Sequence, residues 1–118
     1  MRSASTGCFF AEACINVAES VEALLGGTVE EKLELARAAS PLEHVTKDAP
    51  PFLIFVGDAD DVTPPAHQDA MRAKLEKNGV SVEVVILPGV GHGYGYGVES
   101  EAQKTTFARA ERFLEEWL

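Results

Sequence analysis

Two continuous apolar segments constrain the fold of this chain more than any other feature of its sequence. The first, FLIFVG at residues 52–57, lies between prolines and a glycine-aspartate turn. The second, VSVEVVILPG at residues 80–89, alternates at first and is then fully apolar. Short apolar runs bounded by turn residues are typical of strands that are covered on both faces. We therefore predict two strands of a parallel sheet.

The segment between these runs, TPPAHQDAMRAKLEKNG, predicts a helix. Thr63 can act as its N-cap, Pro64 suits the first helical position, and Gly79 ends it. Met71 and Leu75 lie on one face at helical spacing. Because a strand, a helix and a strand in succession form a βαβ unit, the two strands should be parallel and adjacent. The predicted class is α/β.

Three further helices are predicted to flank this unit. Residues 19–25 form a short helix that Gly26 ends, and Thr28 caps a second one. The second helix has three apolar residues on one face, Val29, Leu33 and Ala36. The last helix carries an apolar stripe that we interpret as core packing: Phe107, Ala110, Phe113, Leu114 and Trp117.

Composition limits the partners that this chain can have. Its 118 residues, 46% hydrophobic and 25% charged, indicate one globular domain. A formal net charge of −9 without a basic cluster excludes electrostatic binding to nucleic acid or to an anionic membrane. No segment approaches the roughly 18 apolar residues of a membrane span, and the start lacks the apolar core of a signal peptide. We therefore expect a cytoplasmic protein.

Neither the cysteines nor the glycine-rich segment predicts a cofactor. Cys8 and Cys14 lack CxxC spacing and a nearby histidine, which argues against a zinc site. Two free thiols are favoured, with a disulfide as the alternative. The segment GVGHGYGYG, at residues 89–97, does not fit the G-x-G-x-x-G pattern of a phosphate-binding loop. We therefore predict no metal and no cofactor.

Polar side chains follow both predicted strands at their carboxyl ends. GDADD comes after the first strand and PGVGHG after the second, so Asp60 and His92 should lie at one edge of the sheet. Adjacent strands are about 4.8 Å apart, a distance that a carboxylate and an imidazole can bridge. Such a carboxylate fixes the imidazole tautomer, and the imidazole takes a proton from a nucleophile. Asp60 and His92 are therefore the candidate catalytic residues.

Four segments of the chain resemble the C-terminal part of α/β-hydrolase esterases: ASPLEHV, PPFLIFVGDADDVTPP, LEKNGVSVEVVILPGVGHGYG and FLEEWL. The group includes acetyl-esterases, feruloyl-esterases and hormone-sensitive-lipase-like enzymes. The likeness covers residues 18–118 and leaves 1–17 as a segment of uncertain structure. It implies that Asp60 is the acid of a Ser-Asp-His triad and that His92 is its histidine. The chain departs from the pattern at Val56, Asp61 and Thr63, where the family often has histidine, proline and valine.

The resemblance also implies a G-x-S-x-G nucleophile, and these residues contain none. The nearest match, SASTG, would make Ser5 the nucleophile without a strand before it. We therefore expect a truncated α/β-hydrolase fold that lacks the early strands and has little esterase activity alone. It would act on a small ester substrate only when a serine-bearing half completes it. Two strands make a poor sheet, so we also expect a homo-oligomer or a complementing chain.

Other polar residues are expected to have structural roles. Asp58 and Asp61 should serve the turn or the start of the next helix by local hydrogen bonds, while His44 and His67 should lie at the surface. Two other functions stay open at this point. The chain could be a non-catalytic assembly or binding module derived from a hydrolase fold, or an independent small domain of flavodoxin-like type.

Overall fold

The computed structural model describes residues 18–63, 65–93 and 99–118. Within these ranges the elements follow in this order: α1 Ala18–Leu25, α2 Leu33–Ala39, a 3-10 helix Pro41–His44, β1 Phe52–Gly57, α3 Pro65–Lys77, β2 Val82–Leu87 and α4 Glu101–Trp117. The predictions for Ser5, Cys8, Cys14 and the N-terminal segment 1–17 lie outside the described residues, as does the YGYG repeat at 94–97.

The central βαβ unit confirms the predicted α/β class. β1 and β2 are parallel and paired in register from Phe52 opposite Val82 to Gly57 opposite Leu87. β1 has the predicted bounds, and β2 begins two residues later than the apolar run. Because the register aligns both carboxyl ends, the loops that follow the two strands emerge side by side.

The helix α3 covers the sheet with one apolar face. Met71 and Leu75 are buried as predicted, and Leu75 is inaccessible to solvent, in a cluster against which Phe52 and Ile54 of β1 pack. The prediction that His67 lies at the surface is wrong, since its exposed fraction is 3%. The reason is periodicity: His67 precedes Met71 and Leu75 by one and two turns and therefore shares their face.

The start of α3 is described from Pro65 onward. Because Pro64 lies outside the described residues, the cap at Thr63 and the first helical position at Pro64 stay predictions. Gly79 adopts φ +72 after the helix, as its predicted end requires. Thr63 itself lies in the loop that follows β1.

The first two helices form a separate small cluster. Val21, Leu25 and Ala36 are buried there, and Val29 packs against them. Thr28 and Glu31 form a reciprocal capping box, with N···O distances of 3.0 and 3.2 Å. Regular helix nevertheless begins only at Leu33, which is 38% exposed, so the prediction that Leu33 shares the buried face is wrong.

The helix α4 contradicts the prediction of core packing. The exposed fractions of Phe107, Leu114 and Trp117 are 59%, 51% and 46%. An ion pair between Arg109 and Glu83 links α4 to β2. None of the elements in the described ranges buries the apolar stripe, because a two-stranded sheet offers too little surface to cover it. Within the same ranges, no helix is both long and apolar enough to cross a membrane.

Candidate active site

Three hydrogen bonds join the loop that follows β1 to the end of β2 and the loop after it. The Asp58 N–H donates to the Leu87 carbonyl at 3.1 Å, and the Ala59 N–H donates to the Val90 carbonyl at 3.0 Å. In return, the Gly89 N–H donates to Asp58 Oδ1 at 2.6 Å. The expectation that Asp58 serves only its own turn is therefore wrong, because its carboxylate holds the neighbouring loop.

Gly57 makes this close contact between the loops possible. A Cβ atom built on Gly57 would lie 2.0 Å from the Val90 carbonyl oxygen, far inside van der Waals contact. Only glycine lets the second loop cross the end of β1 at this distance. The position of the segment that carries His92 thus depends on residue 57, at the end of β1, having no Cβ atom.

The carboxylate of Asp60 is fixed by its own turn. Its Oδ1 atom accepts hydrogen bonds from the Val62 and Thr63 N–H groups at 2.9 and 2.8 Å. Its Oδ2 atom accepts one from the Thr63 hydroxyl at 2.9 Å. With 8% of its side chain exposed, Asp60 has little freedom to change rotamer. An aspartate that binds the N–H groups two and three positions ahead is the usual Asx turn.

The structure brings Asp60 and His92 together. The Nδ1 atom of His92 lies 3.2 Å from Asp60 Oδ2, the oxygen that also receives the Thr63 hydroxyl. Half of the imidazole is open to solvent, since 52% of the His92 side chain is exposed. Gly93 adopts φ +74, a left-handed conformation that favours glycine, and turns the chain directly after the histidine.

The hydrogen bonds keep Asp60 ionised in spite of its burial. Burial raises the pKa of Asp60, but hydrogen bonds from Thr63, His92 and Val62 outweigh that effect and bring the pKa below its usual value. An ionised carboxylate only accepts hydrogen bonds, so it favours the His92 tautomer with its proton on Nδ1. The Nε2 atom of the neutral ring then carries the lone pair.

The remaining candidate side chains have other surroundings. His44 is exposed as predicted, and its Nε2 atom lies 2.7 Å from the Ala38 carbonyl oxygen. Asp61 is exposed beside the Asp60 turn. Among the residues that the structure describes, no group of three or more histidine, cysteine, aspartate or glutamate side chains could hold a metal ion.

Three residues of this site were not identified from the sequence: Gly57, Asp58 and Thr63. A glycine that ends an apolar strand is a known signal of close backbone approach, so Gly57 could have been recognised. The aspartate-x-x-threonine spacing of residues 60–63 is likewise compatible with a side-chain hydrogen bond within the turn. Nothing in the local sequence indicates that Asp58 would bind the Gly89 N–H, because that contact depends on the register of the sheet.

Comparison with known proteins relates this chain to hydrolases. The model of the prolyl oligopeptidase family matches residues 12–118. The esterase LipC of Mycobacterium tuberculosis is 38% identical over 66 residues, which are 55% of this chain and 16% of that protein. The esterase LipQ of the same organism is 37% identical over 59 residues, 49% of this chain and 14% of that protein. The chain thus matches only a small part of either relative.

Solved structures show the same relation at the level of the fold. Propionate-bound esterase 2 of Thermogutta terrifontis superposes with a TM-score of 0.67 at 26% identity, over 95% of this chain and 39% of that one. The same esterase, phosphoramylated by tabun, superposes with a TM-score of 0.64 at 32% identity, over 75% of this chain and 34% of that one. The predicted α/β-hydrolase fold and the likeness to esterases are therefore confirmed, for a chain that spans between a third and two fifths of these structures.

Proposed function

We propose, because this chain belongs to the prolyl oligopeptidase family, that Asp60 and His92 are the acid and the base of a serine hydrolase that cleaves small carboxylic esters. One observation carries the proposal: the 3.2 Å contact between Asp60 Oδ2 and His92 Nδ1, at the carboxyl edge of a parallel sheet. This edge is where open α/β sheets bind their ligands. The half-exposed imidazole leaves room for a nucleophile beside it.

The geometry supports a definite division of roles. The Asp60 carboxylate accepts a hydrogen bond from the Nδ1–H group of His92, orients the ring and stabilises the imidazolium, while the proton stays on Nδ1. The His92 Nε2 lone pair takes the proton of a serine hydroxyl while the serine oxygen attacks the ester carbonyl. The imidazolium then returns that proton to the departing alcohol. The acyl group now stays on the serine oxygen. In the second half of the reaction, water attacks this acyl carbonyl while His92 Nε2 takes a proton from the water; the acyl–serine bond then breaks, the acid leaves, and the imidazolium returns the proton to the serine oxygen.

The relatives support an ester, rather than a peptide, as the substrate. Both matching proteins of Mycobacterium tuberculosis are esterases by name. The superposed structures are also of an esterase, one of them with propionate bound. The family description names an oligopeptidase, but a family of this kind shares a fold and a triad among several reactions. Because esters have the better leaving group, this chemistry makes the smaller demand on the enzyme.

The serine is proposed to come from outside these 118 residues, which contain no G-x-S-x-G motif. It would belong to a longer polypeptide or to a complementing chain, and the purified 118-residue chain alone should cleave p-nitrophenyl acetate at close to the buffer rate. The proposal of an outside serine fails if this chain alone hydrolyses the ester and the rate collapses in His92→Ala, because the chain would then hold its own nucleophile.

Completion of the site tests the proposal directly. We would produce this chain together with the G-x-S-x-G-bearing sequence encoded next to it and measure ester hydrolysis by the complex. His92→Ala and Asp60→Asn should each lower kcat by about a thousandfold or more, the usual loss for members of a triad. The exposed histidine variant His44→Ala is the matched control and should keep the full rate. Full ester hydrolysis in His92→Ala and Asp60→Asn, or an equal loss of kcat in His44→Ala, would contradict the proposal.

A second candidate function is a non-catalytic assembly module that retains the hydrolase fold. The exposed stripe of α4 favours it, since Phe107 and Leu114 present apolar surface that a solitary domain would bury. The two functions differ in what association achieves. An assembly module would form its complex without gaining ester hydrolysis, whereas the proposed hydrolase gains activity on completion.

A further inference from the structure

Thr63 touches both members of the proposed pair. Its hydroxyl oxygen lies 2.9 Å from Asp60 Oδ2, to which it donates, and 3.5 Å from His92 Nδ1. The same Asp60 oxygen lies 3.2 Å from His92 Nδ1. The three polar atoms therefore form a closed triangle, in which Thr63 stands where the resembling family often has valine.

The single proton of the hydroxyl determines what this triangle can hold. Because the Thr63 hydroxyl donates its proton to Asp60, only its lone pairs can face the imidazole. The ionised carboxylate likewise offers only lone pairs. His92 Nδ1 is thus opposite two acceptors. A proton on Nδ1 satisfies both, whereas a lone pair on Nδ1 would be repelled by both.

The hydroxyl is not needed to form the turn itself. The turn is held through the other carboxylate oxygen, Asp60 Oδ1, which accepts from the backbone N–H groups of Val62 and Thr63. Neither of these two hydrogen bonds uses the Thr63 side chain. The hydroxyl therefore adds an interaction to the oxygen that faces His92, beyond what the loop conformation requires.

We propose that Thr63 is a positioning residue whose hydroxyl, oriented by Asp60, selects the Nδ1–H tautomer of His92 and so leaves the lone pair on Nε2. The role of that lone pair as a base rests on the proposed function. The selection of the tautomer does not, because it follows from hydrogen bonds within the described residues. The same hydroxyl helps to hold the pKa of Asp60 below its usual value against burial, which keeps the carboxylate an acceptor.

The test measures which ring nitrogen of His92 carries the proton, in the full 118-residue chain. Long-range ¹H–¹⁵N spectra of ¹⁵N-histidine-labelled protein distinguish a proton on Nδ1 from one on Nε2, with His92 identified by its loss in His92→Gln. In Thr63→Val the ratio of the Nδ1–H to the Nε2–H form should fall about fivefold, the effect of one neutral hydrogen bond. Thr63→Ala should behave in the same way, so the test does not depend on one variant folding.

Two controls separate positioning from a merely structural effect. Thr63→Ser keeps the hydroxyl and should restore the wild-type ratio, while Thr105→Val changes an exposed threonine of α4 and should leave the ratio unchanged. A wild-type ratio in Thr63→Val and Thr63→Ala overturns the inference, and so does a fall of equal size in Thr63→Ser. Because ester hydrolysis is not measured, failure of this inference and failure of the proposed function are distinguishable.

Discussion

At the scale of single residues, Asp60 is the most constrained group of the site. A nearly buried carboxylate would be costly without partners, and here four donors approach its two oxygens. Its pairing with His92 was predictable, because parallel strands place their carboxyl ends at one edge. The participation of Thr63 was not, because helix-start rules direct attention to that threonine as a cap, whereas its hydroxyl donates to Asp60.

The low pKa of Asp60 makes a prediction about stability. A folded-state pKa below the unfolded value means that the unfolded chain binds more protons, so stability rises with pH. The contribution is present above the unfolded pKa of about 3.9 and is lost as the pH falls through the folded pKa. Asp60→Asn should remove this dependence and should lower the free energy of unfolding at pH 7 by about 1–3 kcal/mol. Urea unfolding between neutral and acid pH measures both effects.

Asp61→Asn is the matched control for this experiment, since Asp61 is an exposed aspartate of the same turn. It should leave both the free energy of unfolding and its pH dependence close to those of the wild type. Equal pH dependence in Asp60→Asn and in the wild type would show that the Asp60 carboxylate does not stabilise the folded chain.

At the scale of elements, the βαβ unit was predictable and the contact between its loops was not. Two apolar runs separated by a helix indicate parallel strands, since an adjacent antiparallel pair needs only a turn. The local sequence does not say that Val90 passes over Gly57, because that depends on the register and twist of the sheet. The positions of the catalytic candidates could therefore be assigned to an edge, but the means by which the two loops hold each other could not.

Gly57→Ala tests this contact between elements. The added methyl group would lie 2.0 Å from the Val90 carbonyl oxygen, so the second loop must move. We expect a loss of about 1–3 kcal/mol in the free energy of unfolding, typical of overpacking. The resonances of His92 should shift as well, because its segment follows Val90. Urea unfolding and histidine spectra measure the two effects.

Gly91→Ala provides the comparison within the second loop. A Cβ atom on Gly91 would lie 3.8 Å from the Ala59 carbonyl oxygen, which is ordinary contact. This variant should stay within about 0.5 kcal/mol of the wild type, as substitutions without a clash usually do. If Gly57→Ala and Gly91→Ala lower the free energy of unfolding equally, close packing at Gly57 does not position the loop that follows β2.

At the scale of the whole molecule, the prediction that the apolar stripe of α4 packs in the core was wrong. Helical periodicity identifies which residues form an apolar stripe, but it does not identify what covers them. Among the described elements, the sheet has two strands, and α4 contributes no buried residue. Apolar area of this kind is normally removed from water by association. The exposed stripe and the lack of a G-x-S-x-G motif in these residues thus support the same proposal, that a longer polypeptide or a complementing chain completes the hydrolase fold.

Association through α4 is the prediction that follows. In the purified chain we expect oligomers at micromolar concentration, because the stripe and the open strand edges favour contact with another copy. Phe107→Glu with Leu114→Glu replaces two exposed apolar side chains and should raise the dissociation constant by about tenfold or more, the cost of losing one good interface residue. Sedimentation velocity and light scattering measure the change.

The control must add the same charge on the other side of the helix. Thr105→Glu with Arg112→Gln lowers the net charge by two, as the stripe variant does, and both residues lie on the side of α4 opposite Phe107 and Leu114. This variant should associate like the wild type, since repulsion alone is screened in about 0.15 M salt. A monodisperse wild-type monomer at micromolar concentration would contradict self-association. Equal weakening in both variants would assign the effect to charge and leave the apolar stripe without a role in assembly.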